Sequence, residues 1–212
     1  MVEGVPVTFQ TTEANHFKAT VEQLEAARTE KTKVVLLNSP SIQQEWFIVR
    51  KNCKQLVTGR LSTIFWFLAD DIYGRLVYNG NTFTPISSLS DAIRKQTIVI
   101  NGVSKTYAMT GWRVGFAVGD TEIISGMAKI ISQTTSNLTA VSQYAAIEAL
   151  TGDQSSIEEM RQAFEERLNT IYPLLAEVPG FEVIKPQGAF YLFPNVKKAM
   201  EIKGYTNVND FT

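Results

Sequence analysis

The chain has 212 residues, 44% of them hydrophobic and 19% charged, with a formal net charge of -1. That balance suits a globular chain with a sizeable core; it offers no basic excess for nucleic acid and no acidic tail of the kind that stays disordered. No apolar run is long enough to span a bilayer, and the opening MVEGVPVTFQ lacks the segments of a signal peptide, so a cytoplasmic protein is expected. A single cysteine, Cys53, excludes an internal disulfide, and a single histidine, His16, leaves no His/Cys cluster for a metal.

In chain order, Val5 to Phe9 alternates as a short strand, and Thr20 with Gln23 makes a capping box ahead of a short helix. Lys33 to Leu37 is an apolar strand that ends at Asn38-Ser39-Pro40. This β-α-β rhythm predicts an α/β fold. Ile64 to Ala69 is a continuous apolar run stopping at Asp70-Asp71, as expected of a strand buried on both faces. Thr97 to Ile100 closes on Asn101-Gly102, and Val114 to Val118 is bracketed by Gly111 and Gly119. Helices follow near 121–133 and 139–150. From Ser155 to about Leu175 the residues Ile157, Met160, Phe164, Leu168, Ile171 and Leu175 keep helical spacing, with Ser155 and Glu158 as a capping box. Pro173 should kink this helix or end its regular part, and Pro179-Gly180 stops it. Phe181 to Ile184 and Ala189 to Phe193 then read as two strands around the turn Pro186-Gln187-Gly188. The expected division is a larger unit over 1–152, followed over 153–212 by a linking helix and the start of a smaller one.

Chemistry concentrates in Ser104-Lys105-Thr106-Tyr107-Ala108-Met109-Thr110-Gly111-Trp112-Arg113. Ligands of open α/β sheets collect beyond the carboxyl ends of strands, where Lys105 and Asp70 both fall. A lysine desolvated there can serve as an amine nucleophile, and Ser104 and Arg113 can hold a phosphate. Asp70 can hold a protonated ring nitrogen, and Tyr73 can donate a phenol to a ring oxygen. Taken singly, each has a plainer reading: a solvated lysine, a turn-forming aspartate pair, a surface arginine.

The ordered set is more specific. SKTYAMTGWRVG resembles the lysine signature of the class I aminotransferases, the aspartate aminotransferase family of pyridoxal-phosphate (PLP) fold type I. DDIYGRLVYNG is similar to the family's cofactor-ring motif, usually D-E-x-Y, and PQGAFYLFP to its small-domain strand over the substrate. GVPVTFQTTEANHFKATVEQLEAA is similar to a segment that lies mid-chain in that family. The resemblance implies the C-terminal part of a large domain with a mainly parallel mixed sheet and helices, then part of a smaller α+β domain. It implies pyridoxal 5'-phosphate as cofactor, with Lys105 joined to it and shuttling the proton at Cα. Asp70 would keep the ring nitrogen protonated, Tyr73 would contact the ring hydroxyl, and Ser104 and Arg113 would bind the phosphate. Phe190 and Tyr191 face the substrate or are core aromatics. The implied partners are an amino acid and a 2-oxo acid, with aspartate as default and a homodimeric parent. A catalytically incompetent fragment and a PLP-dependent lyase acting at Cβ are the alternatives.

The sequence departs from the family in three places. The family's first half is not represented, and Asp210-Phe211-Thr212 stops short of its carboxylate-binding arginine, so a fragment is expected. From Ile42 to about Phe67 the family pattern disappears: N-P-T-G is expected after LNSPS, but Ile42 and QQEWFIVRKNCKQLVTGRLSTIFWF follow. Ile42 to Ile48 can be encoded so that one added base yields N-P-T-G-M-V-Y. A pair of compensating single-base shifts is therefore expected across 42–67, placing Trp46, Arg50, Lys51, Lys54 and Arg60 where a buried helix would lie.

Overall fold

The computed structural model describes residues 4–8, 11, 19–40 and 66–211. His16, Cys53 and the anomalous passage from Ile42 up to position 65 lie outside the described residues. Val5 to Thr8 has no regular structure, so the expected first strand is not formed there; Phe9 is outside the described part.

The Thr20–Gln23 capping box forms as expected and opens α1, Val21–Ala27. Strand β1, Val34–Asn38, leads to β2, Trp66–Asp70, and the two pair in parallel. A 3-10 turn at Ile86–Ser88 and the short helix α2, Asp91–Lys95, precede β3, Thr97–Gly102, which lies parallel to β2. The helical turn α3, Val103–Thr106, follows at once, and β4, Gly115–Val118, closes the sheet antiparallel to β3. The order β1-β2-β3-β4 is thus a mixed sheet with a parallel core. Beyond it run α4, Thr121–Thr134, α5, Ala140–Thr151, and the long α6, Ser155–Ala176. Two short helices, α7 at Lys197–Lys203 and α8 at Val208–Phe211, finish the described chain. Among the described residues no helix is long and apolar enough to cross a membrane.

One sheet face is sealed: Leu37, Phe67 and Ala69 pack with Ile86 and Ile93, with Val35 and Leu89 against them. A second core joins the turn after β2 to α6, with Tyr73, Leu76 and Tyr78 against Leu168 and Ala189. Period-2 strands and a 3.6-period helix deliver those side chains to common surfaces. A third cluster, Val103, Val114 and Ala146, fastens α3 to α5.

Three expectations need correcting. Phe181–Ile184 and Ala189–Phe193 do not form strands; only isolated bridges form, Glu182 with Asn195 and, just before the second segment, Gly188 with Val77. The segment at 187–189 bonds back to the turn after β2, Tyr78 N donating to Gln187 O and Ala189 N to Leu76 O, and the positive φ of Ala189 breaks the extended run. The capping box at Ser155 and Glu158 is also absent. The N-cap is Gln154, Asp153 accepts from the Ser155 amide, and Glu158 is taken by Arg161 and Gln162. Of the two effects expected of Pro173, ending the helix does not occur, since α6 continues to Ala176.

Candidate active site

Strands β1 and β2 end side by side, with Asn38 opposite Asp70 in the ladder. Alternation puts Val34, Leu36 and Asn38 on the same face as Trp66, Leu68 and Asp70. The Asn38 amide meets the aspartate there: Nδ2 donates to Asp70 Oδ2 at 2.7 Å. The other carboxylate oxygen accepts from the Ile72 backbone N–H at 3.3 Å. Asn38 Oδ1 is buried and has no hydrogen-bond partner among the described residues. The next residue, Asp71, is buried too, with its N–H donating to Ile100 O. Burial first, and the neighbouring charge of Asp70 second, push its carboxyl up to about 6.

Lys105 is presented by the neighbouring strand. Gly102 ends β3 opposite Gly115, and Val103 N donates to Val114 O. A Cβ on Gly102 would sit 2.7 Å from that carbonyl, so only glycine allows the approach that lets α3 start directly from the strand. Val103 and Thr106 turn into the core, leaving Ser104 and Lys105 half-buried on the other side of the turn. The expected turn carrying the lysine is therefore one turn of helix.

An aromatic group faces the amine. Lys105 Nζ lies 5.7 Å from the Tyr73 ring centroid and 5.4 Å from that of Phe190. The hydroxyls of Tyr73 and Tyr191 are 3.0 Å apart. Burial, then the bond to Tyr191, pushes the Tyr73 phenol up. Phe190 stacks on Phe164 of α6 and meets Tyr73 edge-on. Gly188 makes this possible, because a Cβ there would come within 2.8 Å of Leu76 O. Ala189 is also gripped by Tyr78, whose hydroxyl donates to its carbonyl.

Arg113 stands in left-handed backbone, φ 56° and ψ 45°, at the end of the 3-10 turn Thr110–Trp112. It is exposed, and its Nη1 donates to Thr110 O at 2.9 Å. The geometry thus gathers Asp70 with Asn38, and Lys105 with Tyr73, Phe190 and Tyr191. Among the described residues no hydrogen bond joins Ser104 or Arg113 to either group. Asn38 and Phe164 were missed as neighbours of these groups. Asn38 could have been found from its place at a strand end beside Asp70, whereas Phe164 carried only a core signal. Among the described residues no group of three or more His, Cys, Asp or Glu comes together.

A family model described as "Aminotransferase class I and II" matches residues 1–207. The chain belongs to the class I and II aminotransferases. It is 67% identical to an asparagine–oxo-acid transaminase of Streptococcus mutans, over all of this chain and 54% of the relative. It is 48% identical to an aspartate aminotransferase of Bacillus sp. strain YM-2, over 98% of this chain and 53% of the relative. Among solved structures, the aspartate aminotransferase of Rhizobium meliloti aligns with a TM-score of 0.82 at 37% identity, covering 88% of this chain and 47% of that one. The chain spans about half the length of the curated relatives it matches. The aminotransferases it superposes on are of PLP fold type I, and its mixed sheet with helices is the α/β architecture expected from sequence.

Proposed function

We propose that this chain supplies the lysine-bearing part of a pyridoxal-phosphate-dependent aminotransferase that moves an amino group from an amino acid to a 2-oxo acid. One observation carries the reading: Asp70 and Lys105 emerge from the ends of adjacent parallel strands, with the amine facing both the Tyr73 and Phe190 rings and the Tyr73 hydroxyl meeting that of Tyr191. Strand ends of this kind are where α/β sheets take ligands. The side chains fit the cofactor: an amine for its aldehyde carbon, a carboxylate beside a buried amide oxygen with no partner among the described residues for a protonated ring nitrogen, and a phenol for the ring hydroxyl. When bound, pyridoxal phosphate supplies an electron sink for the substrate carbon.

Each residue then has a stated task. Lys105 holds the cofactor and carries the proton to and from Cα. Asp70 accepts from the ring N–H, and Tyr73 orients the ring through its hydroxyl. Ser104 and Arg113 take the phosphate, which requires Arg113 to exchange its bond to Thr110 O for a phosphate oxygen. A doubly bonded guanidinium–phosphate pair is strong enough to favour that exchange. Phe190 and Tyr191 wall the substrate side. Residues 1–152 belong to the large domain, and 153–212 are the linking helix and start of the small one. The parent protein is a cytoplasmic homodimer.

Aspartate is the default amino donor, and the Streptococcus mutans relative adds asparagine as a candidate. The test is incubation with pyridoxal phosphate, borohydride reduction and peptide mapping. A pyridoxyl adduct confined to Lys105 is the expected result, followed by half-transamination with aspartate or asparagine. No adduct, or adducts scattered over many lysines, would refute the reading for this chain.

A further inference from the structure

The contact between Asn38 and Asp70 is more than strand packing. The strand ends are already tethered without it, because Ser39 N donates to Asp70 O at 3.2 Å and the β1–β2 ladder runs through Asn38. The side chain adds a second, directional bond, 2.7 Å from Nδ2 to Asp70 Oδ2. With Ile72 N–H on Oδ1, both carboxylate oxygens are held from different elements, which fixes the plane of the group. Short amide-to-carboxylate bonds of this kind are charge-assisted and strongly orienting.

The other end of the amide points the same way. An asparagine kept only for packing would have both ends bonded, since a bare buried acceptor costs free energy. Among the described residues Asn38 Oδ1 is such an acceptor. Together with Asp70 it gives the ends of β1 and β2 a surplus of acceptors, suited to a ligand group that donates.

We propose that Asn38 is a positioning residue that holds the Asp70 carboxylate at the angle receiving the ring N–H of a pyridine-type cofactor. This rests on the aminotransferase reading above, and adds to it a residue contributed by β1.

The test compares pyridoxal phosphate with its carbocyclic analogue, in which the ring nitrogen is replaced by C–H. Asn38→Leu keeps the volume and removes the donor, while Asn38→His restores one. Affinities are read by absorbance titration of the full chain, with circular dichroism confirming the fold. Asn38→Leu is expected to weaken pyridoxal phosphate about tenfold, the worth of one hydrogen bond to a charged group, with little effect on the analogue. Asn38→His should recover most of the loss. Equal weakening of both ligands would mean a merely structural role, and unchanged affinity for pyridoxal phosphate would mean no role; either overturns the proposal. Should Asn38→Leu fail to fold, the side-chain amide resonance of Asn38 in the unmodified chain decides. It should move further on adding pyridoxal phosphate than on adding the analogue; equal movement with both, or movement with neither, overturns the proposal. A borohydride experiment without a Lys105 adduct would remove the cofactor reading and this inference together. An adduct with unchanged ligand discrimination would remove this inference alone.

Discussion

Asp71 gives a sharp test of how the β2 terminus is built. It is only 7% exposed, its N–H is bonded to Ile100 O, and its carboxyl is raised from 3.8 to about 6 by burial and then by Asp70. Because the folded pKa is the higher one, the native state holds a proton that the unfolded chain has already released between those values. Stability therefore falls as pH rises through that window, and the full displacement corresponds to about 3 kcal/mol. Asp71→Asn keeps the shape and stays neutral throughout. The variant should match the parent chain near about pH 4 and become more stable by about 2–3 kcal/mol above about pH 6.5. Urea unfolding followed by tryptophan fluorescence across that range measures the difference. Asp70→Asn should move the midpoint of the effect only slightly downward, since burial is the larger cause. A stability difference between Asp71→Asn and the parent chain that does not change with pH would refute the reasoning.

Leu168→Ala removes a buried α6 side chain from the core around Tyr73, Leu76 and Tyr78, to which Met160, Phe164 and Tyr172 of the same helix add, and should cost about 2–5 kcal/mol in urea unfolding; a loss below about 1 kcal/mol would mean that Leu168 is not anchored in that core. Gly188→Ala puts a Cβ 2.8 Å from Leu76 O and 3.1 Å from the Pro40 side chain, so it should destabilise the chain by about 1–3 kcal/mol. Retention of the parent melting temperature would show that the 187–189 segment can move away freely. For the passage from Ile42 to Phe67, resequencing the DNA should recover codons that yield N-P-T-G in the shifted frame; codons that cannot yield it would dispose of the compensating-shift reading.

The strands were legible wherever a continuous apolar run met an abrupt polar stop. Asn38, Asp70 and Asn101-Gly102 mark those stops, and the observed strands end at or beside them. Thr20 and Gln23 could be read as a box because both partners of each bond are local. Ser155 and Glu158 carry the same spacing and fail, because Asp153 reaches the helix start first and Arg161 pulls Glu158 aside. Arg161 also reaches Val77 O, a contact outside its own helix that no local pattern announces. The run Ala189 to Phe193 has strand propensity, yet the backbone bonds at its start, from Ala189 N and to Gln187 O, go to the turn at 76–78. Propensity yielded there to a partner distant in sequence.

The same division runs through the candidate site. Lys105, Asp70 and Tyr73 stand in recognisable local motifs, whereas what holds them does not. Asn38 reaches Asp70 only because parallel register sets Val34 opposite Trp66 and so brings the last residues of β1 and β2 level. Tyr191 reaches Tyr73 only because Gly188 lets its segment close on Leu76 O, and Phe164 is drawn in by the face that α6 must bury. A motif records the groups that meet a ligand, since their chemistry restricts the residue type. The groups that aim them are selected by register and close approach, which many residue types could satisfy at a single position. For this reason the contacts of Asn38 and Tyr191, rather than the lysine motif itself, are where substitution will distinguish a formed site from an inherited sequence pattern.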